Sequence, residues 1–422
     1  MKQTKAQPTQ SKANCKPNTE SIYSDSYSEL SLILTKQIKK EEKKRDGIYF
    51  TPPSTINKTL QLLNPHMKNI THVLEPSCGS CEYVYALKKV DPTLEIVGIE
   101  LNKTIFDSIK EFESNHIKLY NQDYLSYTTE TNYDLIIGNP PYFVMKKKDV
   151  SKSYHKYFDG RPNIFILFII KSIELLKPNG ILSFVLPKSF LNCLYYDKTR
   201  KYLNTFQILH IVECDHDYID TEQETILLII QKSVPISNQP YCLLNDYTIF
   251  GTPDSILKLT QLYTGSTTLY KMGFTVTVGN VVWNQVKNEL TNEKKTLLIY
   301  SSDIKDKKLS IKEYSNEDKK NYINKKGEKE ALLVLNRGYG VGKYNFEYCV
   351  INRDEEIEYL IENHLICIKY KNIIDKKELI CLYDKIIQSF ENKKTKEFIK
   401  LYFGNNAINT TELCEMLPIY LH

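Results

Sequence analysis

Apolar positions in the first half of the chain follow two alternating rhythms. Residues 29–45, ELSLILTKQIKKEEKKR, carry an early apolar stripe that gives way to a charged end, the pattern of a helix. Val73-Leu74 predicts a short strand ending in a turn of small residues. Residues 82–89 predict a helix, 94–99 a strand ending in Glu100, and 104–112 a helix. Residues 117–120 form a strand ending in Asp123, and 133–138 a strand ending in Asn139. The long apolar stretch 163–176 predicts a buried helix, stopped by Pro178-Asn179-Gly180. Strands at 181–186, 208–213 and 225–231 follow. Strands alternating with helices predict an α/β fold with a doubly wound, largely parallel sheet. Such sheets bind ligands at the carboxyl ends of their strands, which is where Glu100, Asp123 and Asn139 stand.

The rhythm changes after about Ser233. Short strand-like pieces at 274–278, 297–300, 332–335 and 365–369 lie between Lys- and Asn-rich loops, with aromatics such as Trp283 and Tyr339. Three segments result: a disordered polar tail over 1–28, an α/β domain over 29–232, and a second domain over 233–422. A length of 422 residues suits two domains. Apolar residues at 41% and charged residues at 25% allow a core of ordinary size, and the net charge of +5 is compatible with a polyanionic partner without requiring one. The ten cysteines lack framework spacing. The first 20 residues lack an apolar stretch of signal-peptide length, and the longest apolar run, 164–170, falls short of a spanning helix of roughly 20 residues. A reducing, intracellular setting with no membrane is expected. The 31 tyrosines suit a surface that stacks on nucleic acid, and an AT-rich coding bias would enrich them equally.

The sharpest chemical signal is Asn139-Pro140-Pro141-Tyr142, directly after a strand. An aromatic amino nitrogen is a poor nucleophile because its lone pair is delocalised into the ring. Accepting hydrogen bonds from both of its N–H groups draws it toward tetrahedral geometry. The Asn139 side-chain oxygen and the Pro140 carbonyl suit that task, since neither atom can donate. The prolines stiffen the loop, and Tyr142 offers a face for stacking. Glu100 can accept both hydroxyls of a ribose, as strand-end carboxylates do in dinucleotide folds. Taken singly, a capping or solvated role suits Glu100 or Asp123 as well. Their recurrence at successive strand ends favours a site.

The order of these segments resembles that of the gamma class of amino-methyltransferases, the bacterial and viral adenine-N6 DNA methyltransferases. Gly47-Ile48-Tyr49-Phe50-Thr51-Pro52-Pro53 resembles the family's first cofactor motif. Glu75-Pro76-Ser77-Cys78-Gly79-Ser80-Cys81 resembles its small-residue loop under the methionine part of the cofactor. Val97-Gly98-Ile99-Glu100, Asn121-Gln122-Asp123-Tyr124, Arg161-Pro162-Asn163 and residues 182–190 match later motifs in the right order. The similarity covers roughly 47–232, with weaker matches at 279–285 and 403–418. It implies a Rossmann-like methyltransferase sheet, S-adenosylmethionine as cofactor and a C-terminal target recognition domain. Double-stranded DNA is the implied partner, with a separate restriction endonuclease as a further one. The implied cofactor residues are Tyr49, Thr51, Glu75, Pro76, Ser77, Cys78, Gly79, Glu100, Asp123, Tyr124, Asn139 and Pro141. Asp123 would accept from the cofactor's adenine amino group, with Tyr124 lining that ring. The implied catalytic residues are Asn139, Pro140, Pro141 and Tyr142. Tyr218 would stack on a flipped-out adenine opposite Tyr142, an extrusion that chemistry on a duplex base requires. A surface role for Tyr218 is equally compatible with the sequence.

Cys81 departs from the family, where glycine is usual, and a Cβ restricts both φ and close approach. Cys78 and Cys81 spell a C-x-x-C, but the context of a redox or zinc site is missing. His155, His216 and the other histidines show no metal-ligand spacing, so no metal is assigned. Residues 39–45 and Lys146-Lys147-Lys148 suit phosphate contacts or a solvated face. The same tetrapeptide also serves enzymes acting on ribosomal RNA adenine or on a protein glutamine, and a binding subunit without turnover is a further alternative. The long region after Lys232 separates DNA recognition from these.

Overall fold

A computed structural model describes residues 23–215, 217–236, 239–314, 316, 318–337, 347–352, 357–403 and 408–421. His216 and Tyr339 lie outside the described residues, as do residues 1–22. The chain divides into two compact units. One holds the described residues up to Phe190 and from Tyr202 to 236; the other holds Leu191–Lys201 and everything from 239 onward.

The first unit is built on seven strands: β1 His72–Glu75, β2 Glu95–Glu100, β3 Ile117–Asn121, β4 Tyr133–Gly138, β5 Leu176–Pro187, β6 Gln207–Glu213 and β7 Thr225–Gln231. They pair in the order β3-β2-β1-β4-β5-β7-β6, parallel from β3 through β5, with β7 antiparallel to both of its neighbours. The helices α1 Glu29–Gln37, α2 Lys40–Asp46, α3 Pro53–Leu63, α4 Glu82–Val90, α5 Lys103–Ile109 and α6 Ile164–Leu175 accompany the strands, and α7 Asp197–Leu203 begins in the second unit and ends in the first. α6 is apolar through Ile164–Ile170 and buried through ten consecutive positions, with the buried Lys171 ammonium bonded to the Leu125 and Tyr127 carbonyls, as expected of a helix enclosed by its own protein. Val73, Ile96, Leu119, Leu135, Ile137 and Val185 build one core with Leu60, Val84 and Leu87. The fold is the Rossmann-like doubly wound sheet that the alternation predicts.

Three local expectations differ. The helix expected over 29–45 breaks at Ile38 and Lys39, whose extended backbone turns the chain between α1 and α2. The helix before Pro178 ends at Leu175, and the Pro-Asn-Gly turn lies inside β5. A register shift between Tyr133 and Leu135 and a left-handed Asn179 at φ 64° accommodate it. Residues 23–28, read as tail, are ordered: the Tyr23 hydroxyl and both side-chain hydroxyls of Ser28 and Ser31 donate to the Glu82 carboxylate.

The second unit lacks the α/β alternation. Phe274–Val278, Leu365–Tyr370, Leu332–Asn336 and Tyr348–Ile351 form one antiparallel sheet. Leu290–Thr291, Tyr322–Ile323, Thr296–Ile299 and Tyr359–Ile361 form another. The amphipathic helix Lys376–Glu391 sets Tyr383, Ile386 and Phe390 into a core with Leu333, Ile366 and Ile368. Residues 191–201 belong here because Arg200 is fully buried, donating from Nη1 to the Cys193 carbonyl (2.8 Å) and from Nε to the Thr248 carbonyl (2.5 Å). Among the described residues, no helix is long and apolar enough to cross a membrane.

Candidate active site

The carboxyl end of β4 delivers Asn139-Pro140-Pro141-Tyr142 to the rim of the sheet. The Asn139 amide is held from both sides. Its Nδ2 donates to the Tyr49 carbonyl and to the Tyr218 hydroxyl, each at 3.3 Å. Its Oδ1 accepts from the Tyr142 hydroxyl at 2.6 Å. That hydroxyl also lies 2.8 Å from the Val185 carbonyl of β5. One phenolic proton serves one acceptor at a time, so Tyr142 can release Oδ1 and remain bonded to Val185. The Tyr142 ring meets Phe165 of α6 edge-on, with centroids 6.0 Å apart. Burial pushes the hydroxyls of Tyr142 and Tyr218 well up, so both stay protonated as donors at neutral pH.

Residues 47–51 come from before the sheet in sequence and lie against the tetrapeptide. Gly47, at φ 69°, approaches so closely that a Cβ there would stand 2.7 Å from the Tyr142 nitrogen. Glycine is required on both counts. Tyr218 is fastened through its loop: the buried Lys43 ammonium of α2 pairs with Asp220, and the Tyr27 hydroxyl donates to the Asp217 carbonyl at 3.0 Å.

The ends of β1 and β2 form the other wall. The Cys78 nitrogen donates to the Ile99 carbonyl (2.9 Å), joining the small-residue loop to β2. Glu100 accepts from the Gly79 nitrogen (3.0 Å) and the Asn102 nitrogen (2.7 Å), yet burial still raises its carboxyl to about 7. Glu75 is fully buried, pushed well up by desolvation, and its Oε2 finds no hydrogen-bond partner. Its Cγ and Pro76 lie beside Gly138. An unpartnered buried acceptor costs about 1–3 kcal/mol. Such an atom, beside a second carboxylate and backbone without Cβ atoms, fits a polar ligand that brings donors. Thr51 is buried, Ser77 donates to the Asn139 carbonyl (3.2 Å), and the Phe50 ring packs over Gly79.

Cys81 takes the glycine's place at φ 62°, a left-handed conformation that costs a residue with a Cβ roughly 1–2 kcal/mol. It and Cys78 are buried, free thiols. Asp123 and Tyr124 sit apart from this cradle in character. Asp123 is exposed and caps the short turn Tyr124–Ser126 by accepting from the Leu125 nitrogen (2.9 Å). Tyr124 is buried against Phe168 and shares a hydrogen bond with Ser172 (2.9 Å). Sequence reasoning missed Asp220 and Glu82 and read Lys43 within a phosphate-binding or solvated stretch, whereas the structure buries it against Asp220; each is a charge whose partner lies far along the chain, and no local pattern marks it.

A Rossmann-like sheet that gathers an Asn-Pro-Pro-Tyr loop, a small-residue loop and a strand-end carboxylate on one rim is that of a methyltransferase dependent on S-adenosylmethionine. Residues 24–219 match the family model described as Eco57I restriction-modification methylase. The modification methylase CviBIII of Paramecium bursaria Chlorella virus NC1A is 27% identical over 408 residues, covering 94% of this chain and 99% of its own. The type II methyltransferase M.CvrRI of Paramecium bursaria Chlorella virus XZ-6E is 26% identical over 402 residues, covering 93% of this chain and 99% of its own. Among solved structures, a putative class I S-adenosylmethionine-dependent methyltransferase from Listeria monocytogenes aligns with 50% of this chain and 68% of its own, at 16% identity and a TM-score of 0.41.

Proposed function

We propose that the chain methylates the exocyclic N6 of an adenine flipped out of double-stranded DNA, at a specific sequence. The observation that carries this reading is the fixed orientation of the Asn139 amide. With Nδ2 committed to Tyr49 and Tyr218, Oδ1 is the edge presented toward Tyr142 and to an incoming amino group. Asn139 Oδ1 and the Pro140 carbonyl accept the two amino protons, and Tyr142 and Tyr218 hold the base by stacking. Bound S-adenosylmethionine supplies an electrophilic methyl group. Glu100 receives its ribose hydroxyls, and Glu75 with residues 76–79 borders its amino-acid part. Asp123 is assigned to its adenine end through the face left by its capping bond, while Tyr124, buried against Phe168 and bonded to Ser172, supports that corner from beneath instead of lining the ring.

The second unit, with residues 191–201, is assigned to target recognition, and a separate restriction endonuclease of the same specificity is the expected companion. The substrate places the enzyme inside the cell that holds the DNA. The test is methylation sequencing of DNA exposed to the pure protein and to Asn139→Ala. The native chain is expected to leave N6-methyladenine at one motif. The variant is expected to lose at least about 100-fold in rate, as for removal of a preorganised acceptor or donor at a reacting centre, while calorimetry shows cofactor binding retained. Methylation of RNA or of a glutamine side chain in place of DNA, or near-native turnover by the variant, would replace this reading.

A further inference from the structure

The chain leaves the tetrapeptide into a structured excursion. Its feet are clamped together: the Met145 nitrogen donates to the Pro162 carbonyl (2.8 Å), the Ile164 nitrogen donates to the Phe143 carbonyl (2.9 Å), and Val144 bridges to Asn163, the N-cap of α6. Between the feet, residues 146–161 hold six cations, Lys146, Lys147, Lys148, Lys152, Lys156 and Arg161, against two carboxylates, Asp149 and Asp159. All six cations are exposed, and none is in an ion pair among the described residues. Lys188 and Lys369 differ from them, each facing two carboxylates.

The excursion is ordered from within. Two short helical turns, Lys147–Asp149 and Lys152–Tyr157, carry four of the five lysines, and Lys146 caps the first. Phe158 and Val150 are buried beneath them, and His155 stacks edge-on against Phe158 while its Nε2 donates to the Val150 carbonyl (3.1 Å). The Lys147 and Lys156 ammonium groups lie over the Phe158 and Tyr157 rings. Preorganised cations lose less freedom when a ligand arrives.

We propose that this excursion is a phosphate clamp: it grips the DNA backbone flanking the target adenine. The inference rests on the reading of the chain as a DNA methyltransferase. Charge alone fits any polyanion; position selects the backbone beside the flipped nucleotide. Lys146 follows Tyr142 by four residues, so its Cα lies within about 14 Å of the tetrapeptide even on a fully extended path. A duplex carries a phosphate per about 1.7 Å of axis, so a base held by Asn139 brings several phosphates into that radius. Arg161 stands at the other foot, two residues before Asn163. The clamp carries no base-edge readout of its own; it supplies register and affinity, with sequence choice left to the second unit.

The test compares Lys146→Gln/Lys147→Gln/Lys148→Gln with the native chain in binding of a short duplex over a salt series. Each lost phosphate contact is expected to lower the slope of log K against log salt by about 1. The Michaelis constant for DNA rises, and cofactor affinity by calorimetry does not move. A control removes equal charge at Lys68, Lys110 and Lys118, which lie toward the amino-terminal ends of the strands, on the side away from the tetrapeptide. Lys152→Gln/Lys156→Gln repeats the test should the triple variant not fold. An unchanged slope in the lysine variants, or an equal loss in the control, overturns the clamp while leaving the methyltransferase reading intact. Absence of salt-dependent DNA binding by the native chain overturns both.

Discussion

Glu100 gives a prediction whose size follows from its surroundings. An ordinary glutamate titrates near 4.5; burial moves this one to about 7 even though two backbone N–H groups favour its charged form. Ribose hydroxyls donate to a carboxylate, and a protonated carboxyl offers them less. About one Glu100 in ten is ionised at pH 6 and about nine in ten at pH 8, so affinity for S-adenosylmethionine is expected to rise about tenfold across that interval. The empty protein responds with the opposite sign. Because the folded pKa exceeds the unfolded one, the fold favours the neutral acid. That contribution is fully present below about 4.5 and is gone once the pH has risen through about 7, a difference of about 3 kcal/mol. The assay is calorimetric titration with the cofactor at pH 6, 7 and 8, beside urea unfolding at pH 5 to 8, for the native chain and Glu100→Gln. The variant should bind weakly with little pH dependence and unfold with a flatter pH profile. A native affinity that stays level from pH 6 to 8, or a slope that persists in Glu100→Gln, would refute the reasoning.

Four further outcomes are expected. Tyr218→Ala should weaken retention of an extruded base by about 1–3 kcal/mol, while Tyr218→Phe keeps the ring and loses little, read from the fluorescence of 2-aminopurine at the target position. Equal effects of the two would remove Tyr218 as a stacking face. Gly47→Ala should lower turnover, because the new Cβ would lie 2.7 Å from the Tyr142 nitrogen on a left-handed backbone; native kinetics would contradict that packing. A chain cut after Lys232 should unfold at residues 191–201, since it strands the buried Arg200 without the Thr248 carbonyl, and an uncompensated buried charge costs about 3–5 kcal/mol. A transplant of residues 239–421 that also carries 191–201 should fold and transfer the methylation motif, and methylation sequencing of the chimera checks this.

The strands of the first unit were legible because each is a short apolar run bounded by turn residues, and the candidate residues were legible because they stand where those runs stop. Asn139 and Glu100 needed only that rule. Asp123 shows its limit: a carboxylate at a strand end can cap a turn, and here it does. Tyr124 followed the motif in sequence, but its ring faces Phe168 because α6 offers a buried apolar surface there. The second unit was less legible. Its strands are two to six residues long, and the helix Lys376–Glu391 alternates so many charges with its apolar stripe that its mean hydropathy is near neutral. The transfer of residues 191–201 to that unit hinges on Arg200, an arginine with an ordinary surface residue's sequence signature and a fully buried side chain.

The ties that hold the Tyr218 loop also set an order of assembly. Tyr27 and Asp217 are 190 residues apart, and Lys43 and Asp220 are 177 apart. Closing loops of that length costs entropy that only a formed sheet can offset. During synthesis, α1 and α2 leave the ribosome among the first described elements, yet their partners leave it after most of the seven strands. The segment can dock earlier through Ser28 and Ser31 on Glu82 and through Leu34 and Ile38 on Ile105, but the ties of Tyr27 and Lys43 must wait until almost the whole first unit has emerged. Refolding is expected to recover β-sheet signal before the surroundings of Tyr27 become native. A reporter placed beside Tyr27 would register this late step in completing the first unit.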